Sequence, residues 1–181
     1  MVLAIDAGFR CLGWALISPL QDKKKLLSIL DCGTVETKTD PALSVAASDC
    51  NRAIYQGMQL HTLLMRIDLE RGAMPAMFVI ELPHGGAKSA RAARTMGIAT
   101  GIIGAICGAT GTGALFVTPA QGKMAAAGAR DASKLEVIRG VCSKTSGFSP
   151  EMYTKPRREA IADAIAAYLA LEEAGWWGED D

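Results

Sequence analysis

Apolar runs and polar breaks divide the chain into a readable series of elements. Val2 to Ile5 is a short apolar run that stops on Asp6-Ala7-Gly8, and Leu12 to Ile17 is a second run after a brief turn. The two read as a β-hairpin with an acid at the end of its first strand. Gln21 to Lys25 is a polar turn, and Leu26 to Thr37 a third strand in which Gly33 suggests a bulge. Asn51 to Glu70 carries Ile54, Met58, Leu60, Leu64, Ile67 and Leu69 at helical spacing, with Gly72 placed to close the helix. Ala76 to Ile80 is a fully apolar strand that ends on Glu81, and Leu82 to Gly86 is a loop. A long helix over Lys88 to Ala109 and a buried strand over Ala114 to Val117 follow, the strand stopped by Pro119. Ala120 to Met124 reads as a short helix, Ala132 to Cys142 as a helix with Leu135, Ile138 and Val141 on one face, and Arg157 to Glu173 as an amphipathic helix. Three antiparallel strands followed by helix, strand, helix, strand and terminal helices predict an α/β domain built on a mixed sheet.

One stretch tests that reading. Thr95 to Gly122 holds no charged residue, long enough to raise a membrane span. Six glycines, Gly97, Gly101, Gly104, Gly108, Gly111 and Gly113, interrupt it, and threonines dilute it. The expectation is therefore a buried helix, a glycine-rich turn and a buried strand, with no membrane contact. The pairs Gly97/Gly101 and Gly104/Gly108 let another backbone approach closely, either within the core or across a dimer.

Composition narrows the class. The chain has 181 residues, half of them hydrophobic and 21% charged, as expected for one soluble domain over 1–181. The last few residues, Glu179, Asp180 and Asp181, are expected to form a flexible acidic tail. Formal net charge is zero, so no overall basic field announces a nucleic-acid partner. The cations are nonetheless clustered, at Lys23 to Lys25, at Lys88, Arg91 and Arg94, and at Lys155, Arg157 and Arg158. Each cluster reads either as a basic face or as a solvated surface. Five cysteines, none in a C-x-x-C spacing, point to a reducing cytosol rather than a zinc site or a disulfide framework. No signal peptide is evident, and the expected location is cytoplasmic.

The acids are the chemically suggestive feature. Phosphodiester hydrolysis needs an activated water and a stabilised leaving oxygen, and two divalent ions about 4 Å apart supply both. Such ions take oxygen ligands, so the chemistry wants several carboxylates converging from separate elements. Asp6 and Glu81 each end a strand. Asp163 lies among Ala160, Ile161, Ala162, Ala164 and Ile165, where an acid is costly unless paired or metal-bound. Glu159, at i−4, shares its helix face. Each also has a bland reading: Asp6 as a turn cap, Glu81 as a solvated strand end, Asp163 as the partner of a cation from elsewhere in the fold.

These residues also carry a resemblance. Val2-Leu3-Ala4-Ile5-Asp6-Ala7-Gly8 with Gly13-Trp14-Ala15-Leu16-Ile17 resembles the opening of the RuvC-type Holliday junction resolvases. Phe78-Val79-Ile80-Glu81 resembles their second acidic strand. Thr118-Pro119-Ala120-Gln121-Gly122-Lys123 resembles the segment with their first functional lysine, and Lys134 falls where a second, DNA-facing lysine is expected. Glu159-Ala160-Ile161-Ala162-Asp163-Ala164 resembles the terminal helix motif. One position departs: the family usually has Asp or His where this chain has Ala160, which leaves Glu159 as the candidate fourth acid.

The resemblance implies a ribonuclease H-like fold with a five-stranded mixed sheet flanked by helices. It implies a dimeric, metal-dependent endonuclease that resolves four-way DNA by paired symmetric incision. Asp6, Glu81, Glu159 and Asp163 would hold two Mg²⁺ ions, with Mn²⁺ as substitute. Lys123 and Lys134 would meet phosphate. Lys88, Arg91 and Arg94 follow the Glu81 loop, and their position there would let them guide a DNA strand. His84 stands where bacterial relatives place a stacking aromatic, and an imidazole stacks on a base or contacts phosphate. Other nucleases of branched DNA or RNA, and a non-catalytic junction binder, remain alternatives.

Overall fold

The computed structural model describes residues 1–19, 26–82 and 89–176. The expected turn over Gln21 to Lys25, His84, Lys88 and the acidic tail lie outside the described residues. Among the described residues, six strands form one sheet in the order β5-β4-β1-β2-β3-β6. In the chain they run β1 (Val2–Asp6), β2 (Cys11–Ser18), β3 (Leu27–Glu36), β4 (Met77–Glu81), β5 (Gly113–Val117) and β6 (Thr145–Ser146). β1, β2 and β3 form an antiparallel meander, while β4 is parallel to β1 and β5 parallel to β4. The sixth strand corrects the expected five. It is a two-residue pairing alongside the start of β3, too short to leave a hydrophobic pattern in the sequence.

Side chains alternate across each strand and build two cores. Val2, Ala4, Ala15, Ile17 and Val79 face one side, and Leu3, Ile5, Leu16, Phe78 and Ile80 the other. The second side is covered by α1 (Val45–Arg71) and α2 (Ala90–Thr110). Leu60, Leu63, Leu64 and Ile67 of α1 are buried there, each worth about 1.5–3 kcal/mol. α1 starts earlier than its apolar spacing suggests because Ser44 caps it, accepting from the Ala47 amide, and Gly72 closes it in a left-handed cap as expected.

The first side is covered by α5 (Lys155–Glu173), with α3 (Pro119–Ala127) and α4 (Lys134–Lys144) packed over it. α5 corrects the amphipathic reading: Ala160 to Leu169 is buried without a break. Its alanines suit a helix enclosed by sheet below and helices above.

Two further expectations are corrected. α2 is not a buried helix, since only Ala99 and Ile103 of its 21 residues are buried. By length and composition it is apolar enough to cross a membrane, yet it packs against α1 along one side only. β5 is likewise an edge strand with Phe116 58% exposed. The irregularity in β3 lies opposite the Leu16/Ile17 step and not at Gly33, which instead makes room for the Trp14 indole.

Candidate active site

Asp6 and Glu81 are direct neighbours. They end β1 and β4, pair in register across the parallel ladder, and follow Ala4 and Val79 on the α5 side of the sheet. The apolar runs that precede them make both strands central, so each carboxylate is delivered at the strand's end as the chain leaves the core. Asp6 also pairs with Gly13 of β2. A Cβ at Gly13 would meet the backbone of Ala160 and Ile161 on α5, so glycine lets the helix settle on the sheet here. One turn further along α5, Asp163 faces the two strand-end acids, and it is buried.

Glu81 reaches toward α3. Its Oε2 lies 3.2 Å from where a Cβ at Gly122 would stand, and Ala166 of α5 lies 3.5 Å from the same point. Thr118 and Gln121 form a reciprocal capping box and Pro119 starts the helix, which fixes Lys123 in the first turns of α3. A second capping box, Ser133 with Glu136, sets Lys134 at the first position of α4. Its ammonium pairs with the Asp163 carboxylate.

The electrostatics report crowding. Burial first, then the charge of Asp163, pushes Asp6 up from its ordinary 3.8 to about 7, with Lys134 opposing. Burial and the charges of Asp6 and Asp163 push Glu81 from 4.5 to about 8, against Lys134 and Lys123. Asp163 is raised too, chiefly by burial, with Lys134 lowering it and Glu159 adding repulsion. Burial works against the charged form of Lys134, but the three acids outweigh it and raise its pKa. Neither Asp6 nor Glu81 has a hydrogen bond or ion pair through its carboxylate among the described residues.

The four expected ligands are not equivalent. Asp6, Glu81 and Asp163 act on one another, whereas Glu159 is felt at Asp163 and is not among the charges perturbing Asp6 or Glu81. Among the described residues no three acidic, histidine or cysteine side chains are drawn together tightly enough to grip an ion unaided. The donor set nonetheless fits a hard divalent cation: three mutually repelling carboxylates, Glu81 and Asp163 buried and Asp6 half-buried, with one shared ammonium.

Of the expected phosphate contacts, Lys123 is half-buried beside Glu81 and Asp163, and Lys134 is engaged by Asp163. Arg94 pairs with Asp49 on α1, while Arg91 is exposed near the start of α2. Arg157 of the third basic cluster is tied to Glu36 at 2.7 Å. Behind the Asp6 turn lies a group absent from the sequence reading, Asp49, Arg52 and Gln56. Their spacing on α1, i, i+3 and i+7, is a polar stripe that starts before the apolar periodicity does.

No protein-family model matches the chain. It is 28% identical over 177 residues to the crossover junction endodeoxyribonuclease RuvC of Moorella thermoacetica, covering 98% of this chain and 93% of that protein. The RuvC of Nitratidesulfovibrio vulgaris is 26% identical over 164 residues, 91% of this chain and 87% of that one. Among solved structures, Thermus thermophilus RuvC in complex with Holliday junction substrate superposes with a TM-score of 0.72 at 22% identity, covering 98% of this chain and 95% of that one. Along nearly its whole length, then, the chain is similar in sequence to the RuvC-type resolvases, and its fold is their ribonuclease H-like fold.

Proposed function

We propose that this protein is a metal-dependent endonuclease that resolves Holliday junctions by paired symmetric incision. One observation carries the reading: Asp6 and Glu81 stand side by side on central strands with Asp163 held over them by α5. The similarity to RuvC proteins, one of them solved with a Holliday junction, supplies the substrate class.

In this reading Asp6, Glu81 and Asp163 hold two Mg²⁺ ions, with Mn²⁺ as substitute, and Glu159 assists from the Asp163 side. When bound, such ions activate a water and stabilise charge on the leaving oxygen. Lys123 and Lys134 flank the acids and neutralise phosphate, a positioning role that reads no sequence. Arg91 and Arg94 guide a strand past the start of α2.

Two cuts related by two-fold symmetry call for a two-fold protein, so the working form is a homodimer. The outer face of α2 supports this. A Cβ at Gly97, Gly101, Gly104 or Gly108 would meet nothing within 4 Å, and Ile54 and Met58 of the neighbouring α1 are more than half exposed. The whole chain, 1–181, then acts as one nuclease domain on DNA in the cytoplasm.

Ala160 favours a second reading, a junction binder that does not cut. Incubation of a synthetic four-way junction with Mg²⁺ separates the two. Paired nicks from wild type, lost in Asp6→Asn with binding intact, are expected. Binding without cutting by wild type selects the second reading. Three-way, flap and RNA–DNA substrates run in parallel set the breadth.

A further inference from the structure

On the sheet face opposite Asp163, a buried polar network grips the turn that follows Asp6. Gln56 of α1 is fully enclosed, and its Nε2 donates to the Gly8 carbonyl at 3.0 Å. Arg52 lies one turn earlier. Its Nη2 donates to the Phe9 carbonyl at 3.4 Å, its Nε to the Thr37 hydroxyl at 3.0 Å, and its guanidinium covers the Phe9 ring at 4.2 Å. The Thr37 hydroxyl itself donates to the Phe9 carbonyl at 2.6 Å. Asp49, 2% exposed, completes the set: Arg52 pairs with one carboxylate oxygen at 3.2 Å and Arg94 of α2 with the other.

We propose that Gln56, backed by Arg52 and Asp49, is a positioning residue that fixes the Asp6 carboxylate through the backbone of residues 7–9. The inference rests on the metal-dependent reading above.

Two observations carry it. First, the gripped backbone adjoins the acid. The Gly8 amide donates to the Asp6 carbonyl at 2.8 Å, and a Cβ on Gly8 would stand 3.9 Å from Asp6 Oδ2. A shift of this turn pulls on the main chain that carries the carboxylate, and a metal site tolerates only about 0.5 Å of displacement. Second, Gln56 is a poor choice for stability alone. Its Oε1 is buried and accepts no hydrogen bond among the described residues. An unpaired buried amide oxygen is destabilising, and an apolar side chain of the same length avoids that cost. What glutamine adds is one donor aimed at the Gly8 carbonyl.

Asp49 extends the grip. Through Arg94 it ties the same network to the first turns of α2, the helix that follows the Glu81 strand.

The test compares wild type with Gln56→Met, which keeps length and apolar volume and removes the donor. Thermal melting is followed while Mn²⁺ is titrated into the free protein, and four-way-junction cleavage is followed against Mg²⁺ concentration. The expected result is a metal-free melting temperature near that of wild type. The Mn²⁺ needed for half of the melting shift should rise about tenfold or more, as for outer-shell supports of metal ligands. The Mg²⁺ needed for half-maximal cleavage should rise by a similar factor, with junction binding in EDTA unchanged.

A Gln56→Met protein that melts and takes up Mn²⁺ like wild type overturns the proposal. If that variant does not fold, Arg52→Lys and Arg52→Gln give the same readout. Metal response kept by lysine and lost by glutamine supports the clamp, and equal responses overturn it. Failure of the underlying reading looks different. A wild type that binds Mn²⁺ and cuts nothing refutes the nuclease and leaves the clamp measurable by melting. A wild type without any metal response refutes both.

Discussion

Gly13 and Ala160 meet backbone to backbone: a Cβ on Gly13 would stand 2.1 Å from the Ala160 carbonyl oxygen. Gly13 is the ladder partner of Asp6, and Ala160 lies one turn before Asp163. A close approach of α5 to the sheet therefore sits inside the acidic corner and bears on the height of Asp163 above Asp6.

Gly13→Ala forces that contact apart. Overpacking of this kind costs about 1–3 kcal/mol, or roughly 3–10 °C in melting temperature for a chain of this size. Because the displaced helix carries Asp163, metal-induced stabilisation falls with it. Melting scans with and without Mn²⁺ measure both, and an unchanged metal response in a destabilised variant would separate packing from site geometry.

The metal-free protein becomes less stable as pH rises. Asp6 is pushed from 3.8 to about 7 and Glu81 from 4.5 to about 8, so the folded state holds protons that the unfolded chain has already released. Their favourable contribution is complete below about pH 4 and is lost by about pH 8. Asp6→Asn removes one of these acids. It should be more stable than metal-free wild type at pH 8, by on the order of 1–3 kcal/mol, and show no advantage at pH 4. Saturating Mg²⁺ should erase the difference at pH 8 by stabilising wild type alone. Denaturant titrations at the two pH values give the comparison.

Lys134 is the internal counter-ion of the corner, and Lys134→Met leaves Asp163 buried with its principal cation gone. Since the lysine side chain is 48% exposed, the metal-free loss is modest, about 1 kcal/mol. The Mn²⁺ affinity of the free protein should rise several-fold because the competing ammonium is absent. Calorimetric titration reads the affinity, and unchanged binding would remove Lys134 from competition with the ion.

Glu159→Gln should raise the Mg²⁺ needed for cleavage several-fold while leaving the maximal rate within about tenfold of wild type, as expected for a peripheral ligand. Asp163→Asn should abolish cutting. A metal-dependence curve identical to wild type for Glu159→Gln strikes that residue from the ligand set and leaves three acids.

Three acids were legible in the sequence because each breaks an apolar pattern: Asp6 and Glu81 stop strands, and Asp163 interrupts a helix otherwise rich in alanine and isoleucine. The sheet's central strands were legible for the same reason. What stayed hidden depends on tertiary neighbours. α2 and α5 are both rich in small apolar residues, yet α5 is enclosed from Ala160 to Leu169 and α2 is open along most of its surface. No periodicity separates those outcomes. Gln56 was hidden because its partner is a backbone carbonyl 48 residues away, and a backbone acceptor leaves no mark in residue type.

In the proposed homodimer, the open glycines of α2 bear on the spacing of the two cuts. A surface with no side chains at Gly97, Gly101, Gly104 and Gly108 puts nothing between one helix and whatever lies against it. In a two-fold pair formed on this face, the main chains themselves become the stop. The separation of the two catalytic corners is then a fixed ruler whose zero is helix touching helix. A single bulky side chain at Gly101 would lengthen that ruler by ångströms, shifting where the second strand is nicked without altering any atom that does the chemistry.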